Sequence, residues 1–239
     1  VTYKTTVITL VNDPLDIRFI QPHEINKETV LILFATGDGG WRKLDQEVFD
    51  WISQQGYPVA GFSASRYLKT MSPVSDSTTP PQLAADFERV IALAEETMNL
   101  PAATKVVFVG ISRGASLSCI AAGQPSLQDH VTGVIAIALG KIEEHVLHRQ
   151  RRDAKAEWVA VETYDYLRQL PDLPYEIIQS TNDKYTTAAE ARDLLGADTP
   201  LHRLYPIEAP NHTFRGAIPK VLAQVQESLN HLTARRAGN

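Results

Sequence analysis

Residues 106–117 read VVFVGISRGASL, and few stretches this short leave a chain so little choice of fold. The apolar run before the first glycine lacks polar alternation, as in a strand covered on both faces. The small residues after Ser112 suit a helix packed close to a sheet. Between them, Gly110-Ile111-Ser112-Arg113-Gly114 matches G-x-S-x-G. In so tight a strand-to-helix turn, flanking side chains would collide; glycines relieve the clash and the serine hydroxyl is pushed out above the sheet at a helix N-terminus. A glycine-bounded turn whose serine merely caps the helix is the structural alternative.

The rest of the chain supplies the sheet that such a turn needs. Residues 3–20 alternate β-branched and polar side chains on both sides of Asn12-Asp13-Pro14, which predicts an antiparallel hairpin. Apolar runs at 29–35, 57–62, 106–110, 131–139, 175–180 and 201–207 predict buried strands. Helical spacing appears at 44–54, 82–98, 112–122, within AAEARDLL and at 218–232, and a Ser/Thr/Pro loop spans 72–81. Strands alternating with helices imply an α/β protein with a mostly parallel, doubly wound sheet. At 239 residues, 44% hydrophobic and 21% charged, residues 1–239 fit a single globular domain. Residues 141–170 break the rhythm, first charged and then aromatic. They are expected to form a small helical insertion, either a cap over the site or a solvated pair of surface helices.

A serine hydroxyl becomes a useful nucleophile only when a base takes its proton and a carboxylate orients that base. Asp183 follows the strand at 175–180 and His212 follows the strand at 201–207. The order Ser112, Asp183, His212 is the one used where the nucleophile sits on a G-x-S-x-G elbow. Glu208 and Asp193 are rival acids, disfavoured because one lies only four residues from the histidine and the other on a helix. The oxyanion requires two backbone N–H groups. Arg113 supplies the first, and the glycine-rich loop Gly37-Asp38-Gly39-Gly40-Trp41 the second, by position at Asp38. Gly39 and Trp41 in that loop, and Arg66 and Tyr67 after the next strand, are candidate substrate-binding residues; for Arg66 an ion pair with Asp38 or Asp45 is the alternative. The Asp38 carboxylate has two readings: pairing with a cation such as Arg66 or Arg113, or receiving a substrate ammonium.

Other function classes are disfavoured. A net charge of −5 without a clustered basic stripe argues against nucleic-acid binding. Cys119 is the sole cysteine, so no disulfide framework or cysteine-rich zinc site is available, and neither a metal nor another cofactor is expected. No run of about 18 apolar residues is present to span a membrane. Val1 in place of an initiator methionine suggests a processed or truncated form.

FATGDGGW, SASRY at 63–67, GISRGAS and NHTF together resemble the VirJ/AcvB family of bacterial α/β-hydrolase-like proteins, from residue 30 to the C-terminus. GDGGW combined with S-x-R-Y is the most specific part of the match. The resemblance implies the α/β-hydrolase fold and a periplasmic serine hydrolase, in a family whose members cleave aminoacylated phosphatidylglycerol, notably lysyl-phosphatidylglycerol. It also implies contact with a membrane surface and, for some members, a secretion-system protein partner. The chain departs from the family pattern at Arg113, where an aromatic is usual, at TNDKY, where an acidic cluster is usual, and at PNHTF, where a glycine and paired histidines are usual.

Overall fold

The computed structural model describes residues 3–10, 13–22, 29–70, 79–148 and 157–234. Asn12 of the first turn, residues 72–78 of the Ser/Thr/Pro loop and residues 149–156 of the insertion lie outside the described residues.

Strands β1 (Lys4–Leu10) and β2 (Asp13–Ile20) form the expected antiparallel hairpin. Then follow β3 (Leu31–Ala35), α1 (Lys43–Gln54), β4 (Val59–Phe62), α2 (Ala64–Thr70), α3 (Pro80–Met98), β5 (Val106–Ile111), α4 (Arg113–Ala122) and β6 (Val131–Ile137). After β7 (Ile142–His148), β8 (Glu157–Glu162) and α5 (Thr163–Arg168), the chain ends with β9 (Tyr175–Ser180), α6 (Ala188–Leu195), β10 (His202–Ile207) and α7 (Ile218–Ala234). Eight strands make one sheet in the order β1-β2-β4-β3-β5-β6-β9-β10, with every pair from β4 onward parallel.

The two-residue period of the strands divides the core into two layers. Leu31, Leu33 and Ala35 of β3 join Val106 and Phe108 of β5 on the face covered by α3 and α4, where Leu83, Phe87 and Val90 pack. Ile32 and Phe34 join Val107 and Val109 on the opposite face, against Val48, Phe49 and Ile52 of α1 and Val221, Val225 and Leu229 of α7. Each of the Val, Leu, Ile and Phe side chains contributes about 1.5–3 kcal/mol on burial. Helix α4 differs from the others: Gly114 through Ala122 are all buried, because sheet, α3 and α5 enclose it, and apart from Leu117 and Ile120 these residues are small. Burial pushes the Cys119 thiol on this helix up to about 12, so it stays protonated and unreactive.

From β3 the chain crosses to β4 on one side and then returns to β5 on the other. Their carboxyl ends therefore border the switch point at which open parallel sheets bind ligands.

Two segments differ from expectation. The insertion at 141–170 is an antiparallel strand pair, Ile142 opposite Glu162 through His148 opposite Glu157, and only its last part, α5, is helical. The alternation of Val159 and Val161 with their neighbours is a strand period, but the surrounding charges read equally well as a helix face. Arg66 and Tyr67, expected after a strand as substrate-binding residues, lie within α2.

Candidate active site

The Ser112 backbone adopts φ 53° and ψ −116°, a left-handed conformation that costs a non-glycine residue about 1–3 kcal/mol. Its neighbours hold it there. Ser112 N–H donates to Ile137 O at 2.7 Å, and its carbonyl accepts from the N–H groups of Ala115 and Ser116 at 2.9 and 3.2 Å. Glycine is required on both sides for steric reasons: a Cβ at Gly110 would lie 2.3 Å from Gly114 O, and one at Gly114 would lie 2.2 Å from Ala35 O. Both obstacles are backbone atoms that cannot swing aside.

The hydroxyl so displayed does not cap α4. Instead Ser112 Oγ lies 2.9 Å from His212 Nε2, and His212 Nδ1 lies 2.6 Å from Asp183 Oδ2. With Nδ1–H donating to the carboxylate, Nε2 is left as the acceptor for the serine proton. Asp183 is 3% exposed, and its oxygens also accept from Tyr185 N–H at 2.9 Å and Gln179 Nε2–H at 3.1 Å. The two loops are tied together where Ser180 Oγ–H and Asn182 Nδ2–H both donate to Ala209 O. The Tyr185 ring meets the imidazole edge-on, 4.8 Å between centroids. Glu208 and Asp193 are exposed, and the Nδ1 either would need is occupied by Asp183.

Across Ser112 stands the loop after β3. Gly37 N–H donates to the buried Asp45 carboxylate at 2.8 Å, and Gly40 N–H to Gly37 O at 3.0 Å. Burial raises the Asp45 pKa, a shift opposed by the Gly37 N–H. The Asp38 N–H lies between these anchors, and the Arg113 N–H opens α4, where a helix offers no internal acceptor. Asp38 and Arg113 line one pocket with Ser112 and His212. Above the backbone, Arg113 bridges two carboxylates: Asp38 Oδ1 at 3.0 Å and Glu143 Oε1 of β7 at 2.9 Å. The Asp38 side chain is 61% exposed and that of Glu143 only 5%.

Of the other expected site residues, Gly39 lines the pocket, and a Cβ there would strike the Arg42 side chain at 2.2 Å. Trp41 does not line it; its ring stacks on Phe34, packs edge-on to Phe49 and carries the Arg18 guanidinium 4.0 Å from its centroid. Tyr67 is a core residue, 1% exposed, donating its hydroxyl proton to Asp86 Oδ2 at 2.9 Å. Burial and then Asp86 raise its pKa, which keeps that proton in place. The turn of α2 points it inward, away from substrate. Arg66, one residue earlier, is exposed, outside the pocket lining, and among the described residues pairs with neither Asp38 nor Asp45. Glu143, Lys184, Tyr185 and Arg215 line the pocket unforeseen; only the adjacency of the last three to Asp183 and His212 marks them in the sequence. The pocket measures about 1090 Å³. Among the described residues, no group of three or more His, Cys, Asp or Glu side chains is arranged to hold a metal ion, and no helix is long and apolar enough to cross a membrane.

A family model described as bacterial virulence protein (VirJ) matches residues 29–194, well over half the chain and inclusive of β3 through most of α6. The chain belongs to the VirJ family. This VirJ protein has the α/β-hydrolase fold. It is similar to Est1E from Butyrivibrio proteoclasticus (12% identity, TM-score 0.67, covering 96% of this chain and 99% of that one). It is likewise similar to an alpha-beta serine hydrolase homologue from Coxiella burnetii (15%, 0.66, 95% and 97%). Dienelactone hydrolase from Anabaena variabilis is a third such neighbour (17%, 0.63, 96% and 97%). At these identities the likeness speaks for the fold, and the chemistry must be argued from the VirJ protein's own site. No curated protein matches the sequence.

Proposed function

We propose that the protein is a serine ester hydrolase in which Ser112 is the nucleophile, His212 the general base and acid, and Asp183 the group that orients the imidazole. The observation that carries this reading is the Ser112 hydroxyl: it is held in a strained turn, leaves the helix N-terminus uncapped and bonds His212 instead. A structural serine at that position would use its oxygen as a cap.

In this mechanism His212 Nε2 takes the hydroxyl proton as Oγ attacks the ester carbonyl, and the resulting oxyanion accepts hydrogen bonds from the N–H groups of Asp38 and Arg113. Collapse expels the alcohol, which leaves with the proton from His212. Water, deprotonated by the same nitrogen, then attacks the acyl-enzyme and restores Ser112. No cofactor takes part.

For the substrate, family membership favours aminoacylated phosphatidylglycerol, including the lysyl ester, with water releasing the amino acid. A periplasmic location, contact with the membrane surface and a secretion-system partner belong to the same proposal. A hydrolysis screen of aminoacyl-phosphatidylglycerols beside short acyl esters tests it. Release of amino acid from the lipid supports the proposal; turnover of short esters alone reduces it to a general carboxylesterase; turnover of neither, with a folded protein, favours a non-catalytic adaptor.

A further inference from the structure

Although the chain as a whole carries a net charge of −5, twice as many lysines and arginines as carboxylates line the pocket. The carboxylates are already engaged. Asp45 is turned to the Gly37 N–H, and Asp38 and Glu143 both face Arg113. Two cations are drawn outward, Lys141 to Glu190 on α6 and Lys43 to Glu47 on α1, and Arg42 bends back to Gly39 O.

Lys184 and Arg215 remain. Among the described residues neither has a carboxylate partner: the Lys184 ammonium lies 4.6 Å from the Tyr185 ring centroid, and Arg215 spends only its backbone N–H, on Asn211 Oδ1 at 3.1 Å. Lys184 follows Asp183 directly and Arg215 lies three residues after His212, and both line the pocket that holds Ser112. The Tyr185 ring meets both the Lys184 ammonium and the His212 imidazole.

Resting on the reading of Ser112 as an ester-hydrolase nucleophile, we propose that Lys184 and Arg215 form a specificity site for an ester substrate that carries a fixed negative charge, a phosphodiester or a carboxylate, near its scissile bond. A cation meets a weaker reception, since the pocket carboxylates Asp38 and Glu143 are already paired with Arg113 and Asp45 with the Gly37 N–H. Phosphatidylglycerol esters satisfy the requirement, because the glycerol that bears the ester also bears the phosphodiester. The site is thus addressed to the lipid's phosphate rather than to an ammonium group.

Two matched pairs of soluble esters test this and separate the sources of charge: butyrylglycerol against butyrylglycerol phosphate, and para-nitrophenyl butyrate against para-nitrophenyl hydrogen glutarate. At low salt, kcat/KM of the wild-type protein should favour the charged member of at least one pair by about tenfold. Because exposed charges are screened, that ratio should fall toward unity at about 0.5 M NaCl and in the Lys184→Gln/Arg215→Gln double variant. A preference in the first pair points to a headgroup phosphate; in the second, to an acyl carboxylate. Equal or faster turnover of both neutral members, or a preference that survives the double substitution, overturns the proposal. Should the wild type hydrolyse none of the four, the aminoacyl-lipid screen decides the ester-hydrolase reading separately, and calorimetry with glycerol phosphate and glutarate decides the charge site. Binding that the double variant loses supports it; no binding, or binding the variant keeps, refutes it.

Discussion

Two walls meet at Ser112, and they are built differently. On one, the elbow and the His212 loop are held by backbone hydrogen bonds, by glycines pressed against carbonyl oxygens and by a buried carboxylate. On the other, the β3 loop and the base of the β7–β8 pair are joined through one arginine placed between Asp38 and Glu143. The difference separates the contacts that set position from the charges that can set selection, among them Lys184 and Arg215 at the edge of the first wall. Backbone contacts survive most side-chain substitutions and suit a geometry that cannot drift, whereas a charge pair can be rewritten by a single codon and suits the part of a site that adapts to its substrate.

The contrast predicts very unequal consequences. Asp183→Asn keeps the loop but leaves the imidazole in the wrong tautomer, and kcat should fall on the order of 10⁴-fold with the thermal midpoint nearly unchanged. A silent Asp183→Asn together with a crippling Glu208→Gln would reassign the acid. Gly114→Ala comes next. Its Cβ would meet the β3 backbone, so α4 must shift, and the denaturant midpoint should register a loss of about 1–3 kcal/mol together with reduced turnover. Unchanged stability would mean that the two elements can part more easily than their packing suggests.

Glu143→Gln should do least. It keeps the shape and removes one charge from the half-exposed Arg113, so kcat/KM should fall by about threefold to tenfold, equivalent to ~0.6–1.4 kcal/mol. A loss approaching that of Asp183→Asn would place the charge bridge within the chemistry itself and erase the distinction between the two walls.

The same division governs how far the site was legible in the sequence. The elbow was readable because its demands are local: two glycines, a serine and an apolar run stand within a dozen residues. Asp183 and His212 could be picked out because a parallel sheet brings all its strand-to-helix loops to one edge. Side-chain direction was not readable. Tyr67 lies one residue from exposed Arg66, yet the turn of α2 sends it into the core onto Asp86, a partner nineteen residues away that no local pattern reveals. The charged insertion was mistaken for helix because a strand's partner is non-local, and Glu143 was lost with it. Asp38 had two open readings, and its pairing with Arg113 at 3.0 Å, the first of them, depends on a proximity that no local pattern shows.

Covalent labelling with a fluorophosphonate, followed by peptide mapping, tests the central claim most directly, because it reads the activated serine without requiring knowledge of the substrate. The account predicts stoichiometric modification on the peptide containing Ser112, no modification of Ser112→Ala, and labelling of His212→Ala slowed by orders of magnitude. A folded wild-type protein that resists the reagent, or a label that persists undiminished in Ser112→Ala, would contradict it.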